Sequence, residues 1–288
     1  MTDTIELVVC CDENYMPPLR TMLMSVVINN PGERFRLWLL HSTVSAQALE
    51  ELDSYCSLLG IRFDAVTVDR EAFEEARSSK RYPQEMYYRM FAPRMITEAH
   101  SRLLYLDPDI LVIDPLRALW EIDLEGNAFA AASHLDAVHP ATALNKVRLD
   151  TDHQYFNTGV ILMDAEAARK VIVPSELLEY AQDHEYSILF PDQDLFNALY
   201  GRYTLPVKDV LWNYDARKYA DYYMRTMAVS TMQWIMTNTA ILHFCGREKP
   251  WQSGYSGRFD ALYKNYEQLA SRAFARVAAP GRMGVSGA

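Results

Sequence analysis

Residues 103–114 read Leu-Leu-Tyr-Leu-Asp-Pro-Asp-Ile-Leu-Val-Ile-Asp, an apolar run that ends in two carboxylates one residue apart and then resumes. That is the pattern of a buried strand delivering acids to the edge of a sheet. In extended backbone, side chains at i and i+2 share a side, so Asp107 and Asp109 can address one ion while Pro108 points away. Pro108 also lacks a backbone donor, so regular pairing is expected to stop there. Two carboxylates on one face repel unless a cation separates them. A hard divalent ion that takes oxygen ligands, Mn²⁺ or Mg²⁺, meets that need. A solvated Asp-Pro-Asp turn is the competing reading.

The remainder of the chain alternates strands and helices. Ile5–Cys10 is a short β-branched run, followed by a polar loop at 11–15, then Pro17-Pro18 and a helical stretch over 19–30 closed by Pro31-Gly32. Strand, loop and helix units bind ligands at the carboxyl ends of their strands, where Asp12, Asn14 and Tyr15 lie. No glycine-rich phosphate loop is present, which counts against a dinucleotide fingerprint. Phe35–His41 reads as a second strand. Leu49, Leu52, Cys56 and Leu59 then recur at helical spacing up to Gly60, and 61–68 is a third strand. This alternation predicts a mainly parallel sheet covered by helices.

Residues 70–84 are polar and without period, and 86–93 predict a helix packed near the aspartate strand. Arg89, set between aromatics on that helix, is either a surface cation or a group aimed at an anionic ligand. Residues 110–113 continue apolar, Pro115 opens a helical turn, and 129–133 form a small-residue strand. At 155–164 a glycine precedes a β-branched run, so Gly159 marks either close approach of backbone to a ligand, with Asn157 offering a donor and an acceptor beside it, or a bulge in a buried strand. Residues 191–197 predict a loop entering a helix, with Asp192 as N-cap. The Tyr-, Met- and Trp-rich stretch 213–238 reads as helix, either core or an aromatic wall for a sugar acceptor. Residues 240–244 form a strand that runs into His243, Gly246 and Lys249.

At 288 residues the chain fits a single large α/β domain, read here as a catalytic region over 1–212 and a helical C-terminal lobe over 213–288. A net charge of −10 argues against a general nucleic-acid binder, since phosphate neutralisation requires a basic surface. An anionic ligand must therefore meet a local cation cluster or a metal. Cys10, Cys11, Cys56 and Cys245 show neither a zinc spacing nor a disulfide framework. The first residues lack a basic-then-apolar leader and no long apolar run occurs, which leads to the expectation of a soluble cytoplasmic chain. Arg272, Arg276 and Arg282 near the end allow at most weak peripheral contact at the inner membrane face.

Six motifs fall in one order: Cys11-Asp12-Glu13-Asn14-Tyr15; Tyr88-Arg89; Tyr105-Leu106-Asp107-Pro108-Asp109; Phe156-Asn157-Thr158-Gly159; Asp192-Gln193-Asp194; and His243 through Trp251. In that order they resemble glycosyltransferase family 8, the retaining, metal-dependent enzymes that include lipopolysaccharide galactosyl- and glucosyltransferases and glycogenin. The resemblance implies a GT-A fold with a Rossmann-like, mostly parallel central sheet and a small helical C-terminal lobe. It further implies a hexosyltransferase that uses UDP-glucose or UDP-galactose and a glycan acceptor such as lipopolysaccharide core. Uridine would lie against Cys10, Asp12, Asn14 and Tyr15, and Asp107, Asp109 and His243 would ligate Mn²⁺. Gly246 and Lys249 would hold the diphosphate. Arg89, Asp107, Asn157, Thr158, Gly159, Asp192 and Gln193 would surround the donor sugar, and Gln193, Asp192 and Asp194 would form the catalytic group. The chain departs from the family at Cys10 and Cys11, at Thr158, and in its reduced basic tail. Two other readings compete: a UDP-sugar-binding protein without turnover, and a metal-dependent nucleotidyltransferase.

Overall fold

A computed structural model describes residues 3–68, 85–98, 101–133, 140–184 and 188–278. In the first part of the chain β1 (Ile5–Cys10), β2 (Phe35–His41) and β3 (Ile61–Thr67) alternate with α1 (Met16–Asn29) and α2 (Ala46–Leu59). Then come α3 (Glu85–Met95), β4 (Arg102–Leu106), β5 (Ile110–Val112), α4 (Arg117–Trp120), β6 (Phe129–Ser133) and α5 (Pro140–Leu149). β7 (Phe156–Asp164) leads into α6 (Ala165–Val171), α7 (Pro174–Asp183), α8 (Pro191–Tyr200) and β8 (Thr204–Lys208). The last elements are α9 (Asp209–Trp212), β9 (Tyr214–Asp215), α10 (Tyr219–Arg225), α11 (Met232–Asn238), β10 (Ile241–His243) and α12 (Asp260–Val277).

The large sheet has the order β3-β2-β1-β4-β7-β6-β8. Every neighbouring pair is parallel except those made by β7, which runs antiparallel to β4 and to β6. The fold is thus the expected mostly parallel α/β sheet. Its apolar runs are continuous because both faces are covered. Leu7, Val9, Leu37, Leu39, Leu104 and Leu106 pack toward one core, with α1 and α2, while Val8, Trp38, Leu40, Leu103 and Tyr105 pack toward the other, with α3 and α8. The turn chemistry follows the residue types. Ser45 Oγ accepts from Ala48 N at 3.3 Å to start α2, and Gly60 ends it at φ 72°.

A smaller sheet, β5-β10-β9, gathers a third core of Leu111, Tyr214, Tyr222, Ile235, Leu242 and Phe244. It joins β5 from the first part of the chain to strands from beyond residue 213, and α12 returns to pack Ala270 and Phe274 on the α1 side of the large sheet. Pairing stops at Pro108 as expected, because β4 ends at Leu106 and β5 belongs to the other sheet.

Three local expectations need correction. The first helix begins at Met16, three residues early, because prolines in the first turn need no donors of their own. Asp192 does not cap α8: Phe190 holds that position, and Asp192 lies in the first turn. The aromatic stretch 213–238 is one short strand and two helices, broken where Met227 and Ala228 take φ of 50° and 67°. Residues 70–84 and Arg282 lie outside the described residues, apart from the wider statement that no described helix is long and apolar enough to cross a membrane.

His41, at the end of β2, is 4% exposed, and neither ring nitrogen has a hydrogen-bond partner among the described residues. Burial lowers its pKa, so the fold holds it neutral. Below its unfolded value of about 6.5 the unfolded chain takes up the proton first, and stability falls as pH falls, by up to about 1.4 kcal/mol per pH unit. Urea unfolding at pH 7 and pH 5 is expected to show a smaller acid loss for His41→Leu than for the parent chain.

Candidate active site

The Asp-Pro-Asp turn carries the backbone out of the large sheet and into the small one, and its two acids sit at the seam. Asp107 N donates to Gly159 O at 2.8 Å, and Phe244 N donates to Asp109 O at 3.0 Å. β10 pairs with β5 so that His243 lies opposite Ile110. His243 Nε2 is then 3.2 Å from Asp109 Oδ1 and 3.6 Å from Asp107 Oδ2. One ligand atom from each of Asp107, Asp109 and His243 lies within 4.8 Å of the others.

The imidazole is oriented from behind. His243 Nδ1 lies 2.8 Å from Asn213 Oδ1, which assigns the proton to Nδ1 and turns Nε2 toward the acids. Asn213 Nδ2 donates to Asn157 Oδ1 at 2.7 Å, and the same oxygen accepts from Gly159 N at 2.9 Å. Gly159 leaves room for the cluster, since a Cβ there would fall 2.2 Å from His243 Cε1 and 3.0 Å from Asp107 Oδ2. β7 supplies these groups at a bulge: Ala131 pairs with Ile161 and Ala132 with Asn157, which leaves residues 158–160 without partners on β6.

Cations offset the acids. Burial favours a neutral Asp109, but His243 and Lys249 outweigh it and hold the carboxyl far below its usual range. Burial likewise favours a neutral His243, while Cys245 and Asp109 outweigh it and raise the imidazole well above its ordinary value. Lys249 Nζ donates to Asp109 Oδ2 and to Phe244 O, the latter at 2.8 Å. Two carboxylates and one oriented imidazole, arranged round the gap that Gly159 leaves, form a donor set that suits a divalent ion of the Mn²⁺ type, which would take the place of the imidazole's second proton.

Arg89 is mostly enclosed, its side chain 12% exposed, rather than a surface cation. Its Nη1 lies 3.1 Å from Asp107 Oδ1, 3.2 Å from Asp192 Oδ2 and 3.2 Å from Thr158 O. Burial works against its charge, but Asp107, Tyr105 and Asp192 hold it well above its usual value. Thr158 Oγ1 donates to Asp192 Oδ2 at 3.1 Å. The start of α8 is thereby locked to β7 and α3.

Gln193 faces a cavity of 310 Å³ lined also by Tyr155, Asn157, Asn213, Arg217 and Cys245. Asp194 faces the other way and is fully buried. It accepts from Arg148 at 2.7 and 2.6 Å, from Tyr155 Oη at 2.7 Å, and from the Leu189 and Phe190 N–H groups at 2.7 and 2.9 Å. Burial pushes this carboxyl up, but Arg148, the two N–H groups and Tyr155 outweigh it and hold it low.

Asp12, Asn14 and Tyr15 form a separate wall. Asp12 accepts from Asn14 N at 3.0 Å and caps the short turn Glu13–Tyr15. The Tyr15 ring meets Trp251 edge-on at 5.8 Å, which brings the first loop against the last motif. Burial pushes the Cys10 thiol up, and the Cys11 thiol up to about 12, so both are neutral. Gly246 takes φ of 89°, and a Cβ there would fall 2.4 Å from Arg217 Nη1. Asn213 and Arg148 were not singled out from the sequence because each acts on a partner far away in the chain, and Arg217 because its pairing with nearby Asp215 reads as an ordinary surface pair.

Residues 6–254 match the family described as glycosyl transferase family 8. General stress protein A of Bacillus subtilis (strain 168) is 28% identical over 274 residues, spanning 92% of this chain and 93% of that protein. A lipopolysaccharide 1,2-glucosyltransferase of Escherichia coli is 23% identical over 248 residues, spanning 83% and 71%. The crystal structure of galactosyltransferase LgtC with donor and acceptor sugar analogues shares the fold, with a TM-score of 0.76 at 22% identity over 92% of this chain and 96% of that one.

Removing Asp194 strands a buried guanidinium and two backbone donors. Asp194→Ala is therefore expected to cost about 3–5 kcal/mol in urea unfolding, and Asp194→Ala with Arg148→Met to cost clearly less than the sum of the single changes.

Proposed function

The chain belongs to glycosyl transferase family 8, and from that premise we propose that it transfers glucose or galactose, with retention, from a UDP-sugar to a glycan acceptor such as lipopolysaccharide core. The observation that carries this reading is the convergence of Asp107, Asp109 and His243 on one point, with Gln193 facing the cavity that also takes in Asn157 and Asn213 behind that point.

In this reading Asp12 and Asn14 bind uridine beside Cys10, and the Tyr15 ring, braced by Trp251, stacks on the uracil. Asp107, Asp109 and His243 would hold Mn²⁺, or Mg²⁺, which when bound supplies Lewis-acid stabilisation of the departing diphosphate. Lys249 adds charge at the same point, and Gly246 lets backbone approach the phosphates. Arg89 sets Asp107 and Asp192 at the donor sugar, where Asp192 orients hydroxyls together with Asn157, Thr158 and Gly159. The acceptor hydroxyl attacks the anomeric carbon on the face that the diphosphate leaves, and its proton passes to the departing phosphate oxygen. Gln193 stabilises the positive charge that develops on the sugar, since an amide oxygen is a poor nucleophile. Asp194, occupied by Arg148, Tyr155 and two N–H groups, positions the start of α8 for these roles. Residues 1–212 hold the donor, and 213–288 supply the acceptor side together with the His243 to Trp251 segment. The protein works in the cytoplasm, with at most weak peripheral contact at the inner membrane face.

Calorimetric titration of UDP into metal-stripped protein is expected to show tight binding only with Mn²⁺ present, and its loss in Asp109→Asn. Metal-independent UDP binding, or none, would overturn the reading. Gln193→Ala is expected to lower kcat for UDP-sugar hydrolysis by about 100-fold with KM little changed. A binding protein without turnover would release no UDP from UDP-glucose or UDP-galactose, and a nucleotidyltransferase would release pyrophosphate instead.

A further inference from the structure

We propose that the acceptor is an anionic saccharide, carrying a phosphate monoester or a carboxylate that Arg217 and Lys218 recognise. This rests on reading the cavity that Gln193 faces as the acceptor side of the site. Arg217 and Lys218 line that cavity and keep 48% and 45% of their side chains exposed. Arg217 is held in place on one edge only: its backbone N and Nε donate to Asp215 Oδ1 at 3.1 and 2.9 Å, and Nη2 donates to Asp215 Oδ2 at 2.7 Å. Its Nη1 makes no hydrogen bond among the described residues and lies over Gly246. A guanidinium fixed by a carboxylate on one edge and open on the other is preorganised for a second oxyanion, at little further entropic cost.

The pairing distances along the wall agree. Asp209 pairs with Arg225 at 3.1 Å and Asp215 with Arg217 at 2.7 Å, whereas Lys218 comes no nearer than 4.0 Å to Asp215. Arg225 is shared with Asp221 at 3.6 Å, so the three acids and three cations balance, and Lys218 is the most loosely paired cation of the set. The chain's net charge of −10 repels anions, so an anionic acceptor depends on cations that can turn toward it locally. Phe190, 55% exposed, lines the same cavity and offers an apolar surface for a sugar face.

The test uses the full chain loaded with UDP and Mn²⁺, titrated with glucose 6-phosphate, glucuronate and glucose. At least one anion is expected to bind about tenfold more tightly than glucose or better, and the stronger of the two identifies a phosphate or a carboxylate as the recognised group. Arg217→Gln with Lys218→Gln is expected to bring all three probes within about twofold of one another while UDP affinity holds, and Lys218→Glu alone is expected to weaken only the anions. Three outcomes overturn the proposal: no preference, or no anion binding, in the parent chain; a preference that survives in both variants; or a fall in UDP affinity of about tenfold in the double variant, which would assign these cations to the donor. Failure of the parent chain to bind UDP with Mn²⁺ appears before any sugar is added, and overturns the reading of the site itself.

Discussion

The structure turns on one short hand-off of backbone. Between Leu106 and Ile110 the chain leaves a parallel sheet and enters a separate antiparallel pairing with β10. Proline at 108 enforces the break by withholding a donor, and the residues on either side carry their carboxylates into the seam. The pairing that receives the chain also brings His243 to that seam. The cluster is therefore a consequence of sheet topology, with no local loop needed to build it.

Placing so many acids in a poorly hydrated seam would be prohibitive without compensation. The fold supplies it from three directions: Arg89 from α3, Lys249 from the segment after β10, and Arg148 from α5 behind α8. Each cation arrives on a different element, so the elements round the seam are held to one another by charge as well as by apolar packing. Asn157 and Asn213 complete the arrangement with neutral bonds that fix the direction of the imidazole.

Much of this was legible in the residues. Ile5–Cys10 and Phe35–His41 stood out because strands covered on both faces read as unbroken apolar runs, and Gly60 announced its left-handed turn. Asp107, Asp109, Asn157 and Gly159 were legible because proline and glycine mark where backbone departs from regular pairing. The reversal of β7, the transfer of β5 to a second sheet and the break of the helix at Met227 were not legible, because each depends on packing against distant elements. Asn213 and Arg148 were missed for the same reason: their partners are His243 and Asn157, and Asp194, and no spacing in the chain reveals such pairings, while the pairing of Arg217 with Asp215 two residues away gives no sign that the pair lines a cavity.

The edge contact between Tyr15 and Trp251 joins residues separated by most of the chain. At the other end of α1, Asn29 Nδ2 reaches Tyr266 Oη at 2.8 Å and so ties α1 to α12. During synthesis the first loop emerges long before its partner, and the wall it forms stays half-built until the last motif has left the ribosome. A chain cut short before Trp251 can thus assemble the early strands but not this clasp.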